Sequence, residues 1–161
     1  MKITKNEILD LEKSLNNVSA LKGVKFAYAV ARNLNIIKGE VEAIRKSFQP
    51  SEEIIEFERE RVELNEKYAE KDKDGKPLVE NNKYKGLEGN KEWKKKSEEL
   101  NKKYEKVIKE YQKQQEEYIK SLEEEIDIEL YRISLKDVPD DISTSQMNGI
   151  YKIIENEKDV K

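Results

Sequence analysis

The sequence predicts a mainly α-helical fold: an antiparallel helical hairpin or bundle of coiled-coil-like long helices, with a small β-element and a short C-terminal helix. Three observations carry that expectation. Charged residues make up 42% of the 161 residues and the hydrophobic set only 35%. This balance suits long amphipathic helices better than one thick core. Apolar residues recur every three and four positions over most of the chain, the spacing of a single helix face. Near residue 126 the period drops to two, which is the period of a strand. Disorder is the competing reading of low hydrophobicity, but it calls for few aromatics and a high net charge. Here there are eight Tyr, three Phe and one Trp, and the net charge is −3.

The elements follow in order. Met1-Lys2-Ile3 reads as a short strand. Thr4 to Glu7 is a capping box, and the helix it opens carries Ile8, Leu11 and Leu15 on one face. Asn16, Asn17 and Gly23 mark a break. A long helix is expected over 24–48, with Ala27, Ala31 or Val30, Leu34, Ile37, Val41, Ile44 and Phe48 as its stripe. The small residues Ala27, Ala29 and Ala31 are read as permitting close helix packing. Pro50 ends that helix by disfavouring helical geometry in Gln49. A second long helix, 51–69, starts at Ser51 with Glu52 and Glu53 at its positive end. Ile54, Phe57, Arg61, Leu64 and Tyr68 form its stripe, and Arg61 is the odd residue there, expected to pair with a glutamate across the helices.

The stretch after Tyr68, EKDKDGKPLVENN, has the look of a calcium loop. Aligned on Gly75, Glu70, Asp72 and Asp74 fall at ligand positions. The second half fails, because Asn81 stands where a bidentate glutamate is needed and Pro77 interrupts the loop. Asp74-Gly75 is read instead as a tight turn, followed by an extended Lys-Pro-Leu-Val. The polar segment up to Asn90 is expected to be a loop.

The longest helix is expected over 91–122, about 48 Å at about 1.5 Å per residue. Trp93, Ser97, Leu100, Tyr104, Val107, Tyr111, Gln114, Tyr118 and Leu122 approximate a heptad seam. A strand is expected over 126–135, with a change of phase between Leu130 and Tyr131. Its partner is Met1–Ile3, Lys76–Val79 or a second copy of the chain. Ser143 to Gln146 is another capping box, opening a short helix over 144–155 with Met147, Ile150, Tyr151 and Ile154 inward. The tail after Glu155 is expected to fray. All of this is read as one domain.

Three stretches carry a resemblance: GVKFAYAVARNLNIIKGEVEAI, FERERVELNEKYAEKDKDGKP and EEEIDIELYRISLKDVPDDISTSQMNGIYKII. In this order they resemble a family of small, functionally uncharacterised proteins of tailed phages and prophages, chiefly from Gram-positive hosts. Residues 24–76 and 123–154, about half the chain, carry the match, and the section 80–120 is longer than in many members. The resemblance implies a phage protein in the host cytoplasm and names no catalytic residue.

Several functions are disfavoured by residue types alone. Histidine and cysteine are absent, which removes imidazole acid–base chemistry, thiol nucleophiles, disulfides and thiolate zinc sites. No phosphate-cradling glycine loop or nucleophile elbow is present. No apolar run is long enough to span a membrane. The expectation is a non-enzymatic protein-interaction protein with no cofactor and no metal. Its partners would be a phage or host protein and further copies of the chain. Nucleic acid is the alternative, through the run that interleaves Trp93, Tyr104 and Tyr111 with Lys94, Lys95 and Lys102. Against it, the glutamates Glu98, Glu99, Glu105 and Glu110 interrupt the basic face, and residues 121–161 hold five basic against eleven acidic side chains, net −6. Arg61, Trp93, Lys94, Lys95, Lys102, Tyr104 and Tyr111 are the candidate interaction residues.

Overall fold

The computed structural model describes residues 1–155. Among them are six α-helices and four short strands, so the chain is α-rich as its periodicity requires. By its internal packing the chain divides into two compact units, residues 1–48 with 117–161 and residues 49–116.

The first unit holds the larger core. Strand β1 (Lys2–Thr4) runs into α1 (Lys5–Val18). Thr4 caps α1 reciprocally: its hydroxyl accepts from the Glu7 N–H at 3.2 Å, and the Glu7 carboxylate accepts from the Thr4 N–H at 2.8 Å. Helix α2 (Val24–Lys46) follows a turn at Gly23, whose φ of 137° is open to glycine and costly for other residues. Strand β4 (Glu125–Asp127) pairs antiparallel with β1, with Ile3 opposite Ile126. Of the three candidate partners for this strand, the N-terminal residues are the one used. Helix α6 (Thr144–Ile150), opened by the Ser143–Gln146 capping box, packs on α1 and is followed by a 3-10 turn at Tyr151–Ile153. Ile8, Leu15, Phe26, Ile37, Ile150 and Ile153 are fully buried together.

The second unit is a helical hairpin. Helix α3 (Glu52–Tyr68) is capped by Ser51, whose hydroxyl accepts from the Ile54 N–H at 3.3 Å. Helix α4 (Lys91–Lys103) returns alongside it, and α5 (Glu105–Ser121), of which residues up to 116 belong to this unit, follows after Tyr104. The Tyr68 hydroxyl donates to Glu92, Trp93 to Asn65 and Lys103 to Glu60, so residue numbers fall along α3 as they rise along α4. That order makes the pair antiparallel. Between them the chain makes two tight reversals. The Asp72 carboxylate accepts from the N–H groups of Asp74 and Lys76, both at 2.9 Å, and Gly75 takes a φ of 77°. The loop therefore turns a corner, and Asp72 Oδ1 accepts from the backbone at both places. Next, β2 (Val79–Glu80) and β3 (Lys83–Tyr84) form a hairpin whose two connecting residues, Asn81 and Asn82, have φ of 50° and 60°. Positive φ at both positions is the turn that matches strand twist, and asparagine tolerates it.

Five expectations are corrected. The helix over 91–122 is two helices, broken at Tyr104, which leaves helical geometry at φ −105° and ψ 12° without a proline or glycine nearby. The strand over 126–135 is regular only over Glu125–Asp127; beyond it the chain is irregular, with one parallel bridge between Ile133 and Ile154. The helix over 144–155 ends at Ile150 and tightens into the 3-10 turn. The segment 80–90, expected as a loop, contains the β2–β3 hairpin. In α2 only Ala29 packs inside, whereas Ala27 and Ala31 are exposed. Phe26 and Asn33 take the buried places, because the stripe runs one residue out of phase with the expected one at its start. The expected fraying after Glu155 lies outside the described residues.

Candidate interaction surfaces

In the hairpin unit the apolar seam is real and short. Ile54 and Phe57 of α3 pack on Tyr104, with Leu100, Val107, Ile108 and Tyr111 around them. The Phe57 and Tyr104 rings lie 5.5 Å apart and tilted. Beside this cluster sits a polar latch. Glu60 accepts from the Lys103 ammonium at 2.8 Å and from the Tyr104 hydroxyl at 2.9 Å. Hydrogen bonding from Lys103, then from Tyr104, holds the Glu60 carboxyl below the usual carboxylate range. The Lys103 ammonium is pushed up chiefly by its bond to Glu60, and the Tyr104 phenol chiefly by desolvation.

Arg61 is therefore not the polar member of the seam, and it does not pair across the helices. It is exposed and bonds Glu58 on its own helix, Nε to carboxylate at 3.1 Å. Between Phe57 and Leu64 a helix admits a seam residue at either 60 or 61, and Glu60 takes the place. Trp93 is half-buried and donates its indole N–H to the Asn65 side chain at 2.9 Å. It shares a groove of about 480 Å³ with Arg61 and Phe57. Tyr104 is buried and Tyr111 half-buried in the seam, so the aromatic rings that would stack on bases are committed to the hairpin. Lys94, Lys95 and Lys102 are exposed and, with Lys91, stand on the helix face away from that seam. None of these four has an ion-pair partner among the described residues, while Lys96 pairs with Glu99, Lys103 with Glu60, and Lys109 with Glu105.

The other unit presents a surface that none of the candidate residues marked. Tyr28 and Tyr131 meet edge to face with centroids 5.6 Å apart. The Arg32 guanidinium lies 4.5 Å from the Tyr131 ring centroid and donates to the Tyr28 hydroxyl at 3.3 Å. Tyr28 is 55% exposed, and Val24 and Leu135 nearby in sequence to this cluster are 90% and 58% exposed. What holds the cluster is Asn33, which is wholly buried. Its amide donates to the Ala29 and Tyr131 carbonyls, both at 2.9 Å, and accepts from the Tyr131 N–H at 2.8 Å. One side chain thus clamps both backbone groups of Tyr131 against α2. A polar residue between the buried Val30 and Ile37, with Tyr28 and Arg32 four apart on the outer face, is the sequence signal for this arrangement.

Among the described residues no three acidic side chains are grouped to hold a metal ion, and no helix is long and apolar enough to cross a membrane. Comparison with family models, with curated proteins and with solved structures finds no match.

Proposed function

We propose that this chain is a non-enzymatic protein-interaction protein. The observation that carries the reading is the Tyr28–Arg32–Tyr131 cluster, with Tyr28 and Arg32 exposed, held against α2 by the buried, hydrogen-bonded Asn33. Tyrosine and arginine are the residue types that most often dominate binding energy at protein interfaces. A support that is already ordered spares the entropy cost of arranging them on binding. The phage-like character of residues 24–76 and 123–154 supplies the setting: an assembly accessory, or a modulator of a phage or host protein, acting in the host cytoplasm.

A second reading is favoured by one observation, the unpaired lysines of α4. Lys91, Lys94, Lys95 and Lys102 give α4 a basic side suited to phosphates, interrupted by Glu98 and without exposed aromatics to stack bases. Light scattering coupled to size exclusion, with and without a mixed DNA fragment, separates the two. The protein-interaction reading expects a profile that ignores DNA. A DNA complex that dissolves as salt rises, and that is lost when Lys94, Lys95 and Lys102 become Glu, would replace it with the second.

A further inference from the structure

The stretch Leu130–Ser134 lies outside any regular strand, and its backbone hydrogen bonds are made by alternate residues only. Tyr131 spends its N–H and C=O on the Asn33 side chain. Ile133 donates its N–H to the Ile153 carbonyl at 2.8 Å and accepts from the Glu155 N–H at 2.8 Å. In extended chain, neighbouring residues turn their backbone groups to opposite edges. Leu130 and Arg132 accordingly face the other way, and among the described residues neither their N–H nor their C=O has a hydrogen-bond partner. An edge left open in this way is a template for another chain.

We propose that this edge takes up an extended peptide of a partner protein as an added strand, with an acidic residue of that peptide opposite Arg132. The proposal rests on the protein-interaction reading and names its partner class. The free N–H and C=O of the exposed Arg132, two residues on from those of the buried Leu130, match the main chain of an incoming strand. The same stretch borders a groove of about 470 Å³, lined in part by Val24, Tyr28, Tyr131 and Lys136, which offers a seat for one side chain. Charge selects the peptide. Lys25 and Asp137 neutralise each other at 3.1 Å. Among the described residues that leaves Arg32, Lys136 and Arg132, whose guanidinium also donates to the Ile154 carbonyl at 3.2 Å, against Glu129 and Glu155. A second copy of this chain, paired about Arg132, would set guanidinium against guanidinium, an unfavourable cross-strand pair.

The test selects short random peptides by display against the full chain and then measures the selected peptide. The expected peptide is extended and carries Asp or Glu near its middle. On binding it slows hydrogen exchange at Leu130 and Arg132. Methylating one of its alternate backbone nitrogens weakens it about tenfold, the scale of one lost hydrogen bond with its stranded acceptor. Arg132→Glu keeps the backbone and turns the preference from acidic to basic peptides. Failure to select any peptide, or a peptide indifferent to methylation at every position, would overturn the proposal. A peptide that protects only α3 and α4 would overturn it too, yet leave the protein-interaction reading standing. Self-association that protects the same two amides would give the edge to a second copy and refute the acidic partner.

Discussion

Asn33 shows how one side chain can set a surface. It is buried, and every hydrogen-bonding group it points inward is matched. Replacing it with Leu keeps the volume and strands the Tyr131 N–H and C=O. Each stranded group costs about 1–3 kcal/mol when it cannot reach water. Asn33→Leu should therefore lower unfolding stability by roughly 2–4 kcal/mol in denaturant titrations, the sum for two partly shielded groups. A loss below about 1 kcal/mol would mean that the clamp is replaced by solvent. Glu60 makes a different statement, about pH. Its folded-state pKa lies below the ordinary 4.5, so the unfolded chain binds the proton more tightly. Its stabilising effect is present above that ordinary value and is lost as pH falls through the folded one. Lys103 and Tyr104 are shifted upward, so their effect is lost as pH rises past their ordinary values of 10.5 and 10.0. Glu60→Gln should flatten the acid limb of hairpin stability, followed by Trp93 fluorescence between about pH 3 and 6. An unchanged acid limb would assign that limb to other carboxylates, Glu7 first among them.

Elements were legible where their signals are local. Thr4, Ser51 and Ser143 announce helix starts because a hydroxyl and the amide it caps lie within three residues. Asp74-Gly75 announces a corner for the same reason, and the structure adds the Asp72 carboxylate that closes it. What stayed hidden depends on neighbours distant in sequence. A helical period of 3.6 allows either Glu60 or Arg61 into the seam, and α4 decides by offering Lys103 and Tyr104. The break at Tyr104 has no helix-breaking residue to betray it. The strand over 126–135 stops being regular because Asn33, a side chain on a helix, takes the place of a neighbouring strand. The β2–β3 hairpin had a signal, Asn81-Asn82, which is a weaker form of the usual Asn-Gly. The contact of α6 with α1 is testable at one atom. A Cβ at Gly149 would lie 2.7 Å from the Ser14 hydroxyl and 2.8 Å from its Cβ. Gly149→Ala should cost about 1–3 kcal/mol through overpacking, in spite of the better helix propensity of alanine. Ser14→Gly in the same chain should restore part of that loss. Gly149→Ala alone raising stability would show that α6 shifts freely on α1.

At the scale of the molecule, apolar burial is shared unequally. Among the described residues, the unit formed by residues 1–48 and 117–161 buries seventeen apolar residues in its cluster, whereas the hairpin unit buries three in its own. Burial is the dominant favourable term in folding, at about 25 cal/mol per Å² of apolar surface. The hairpin adds surface ion pairs such as Lys103–Glu60 and Lys109–Glu105, but exposed pairs of this kind contribute little. Stability should accordingly be uneven along the chain, because regions with few buried apolar contacts open at lower cost. Native-state hydrogen exchange in low denaturant is the measurement. Amides in α1, the middle of α2 and the β1–β4 pair should open only with global unfolding. Those in α3 and α4 should exchange through a cheaper opening, which salt lowers further as it screens the ion pairs. The Glu60 latch then acquires a purpose: it fixes which face of α4 meets α3 in a hairpin whose apolar seam is too small to do so alone. Uniform protection across both units would refute this division, and so would protection of α3 that survives Glu60→Gln unchanged.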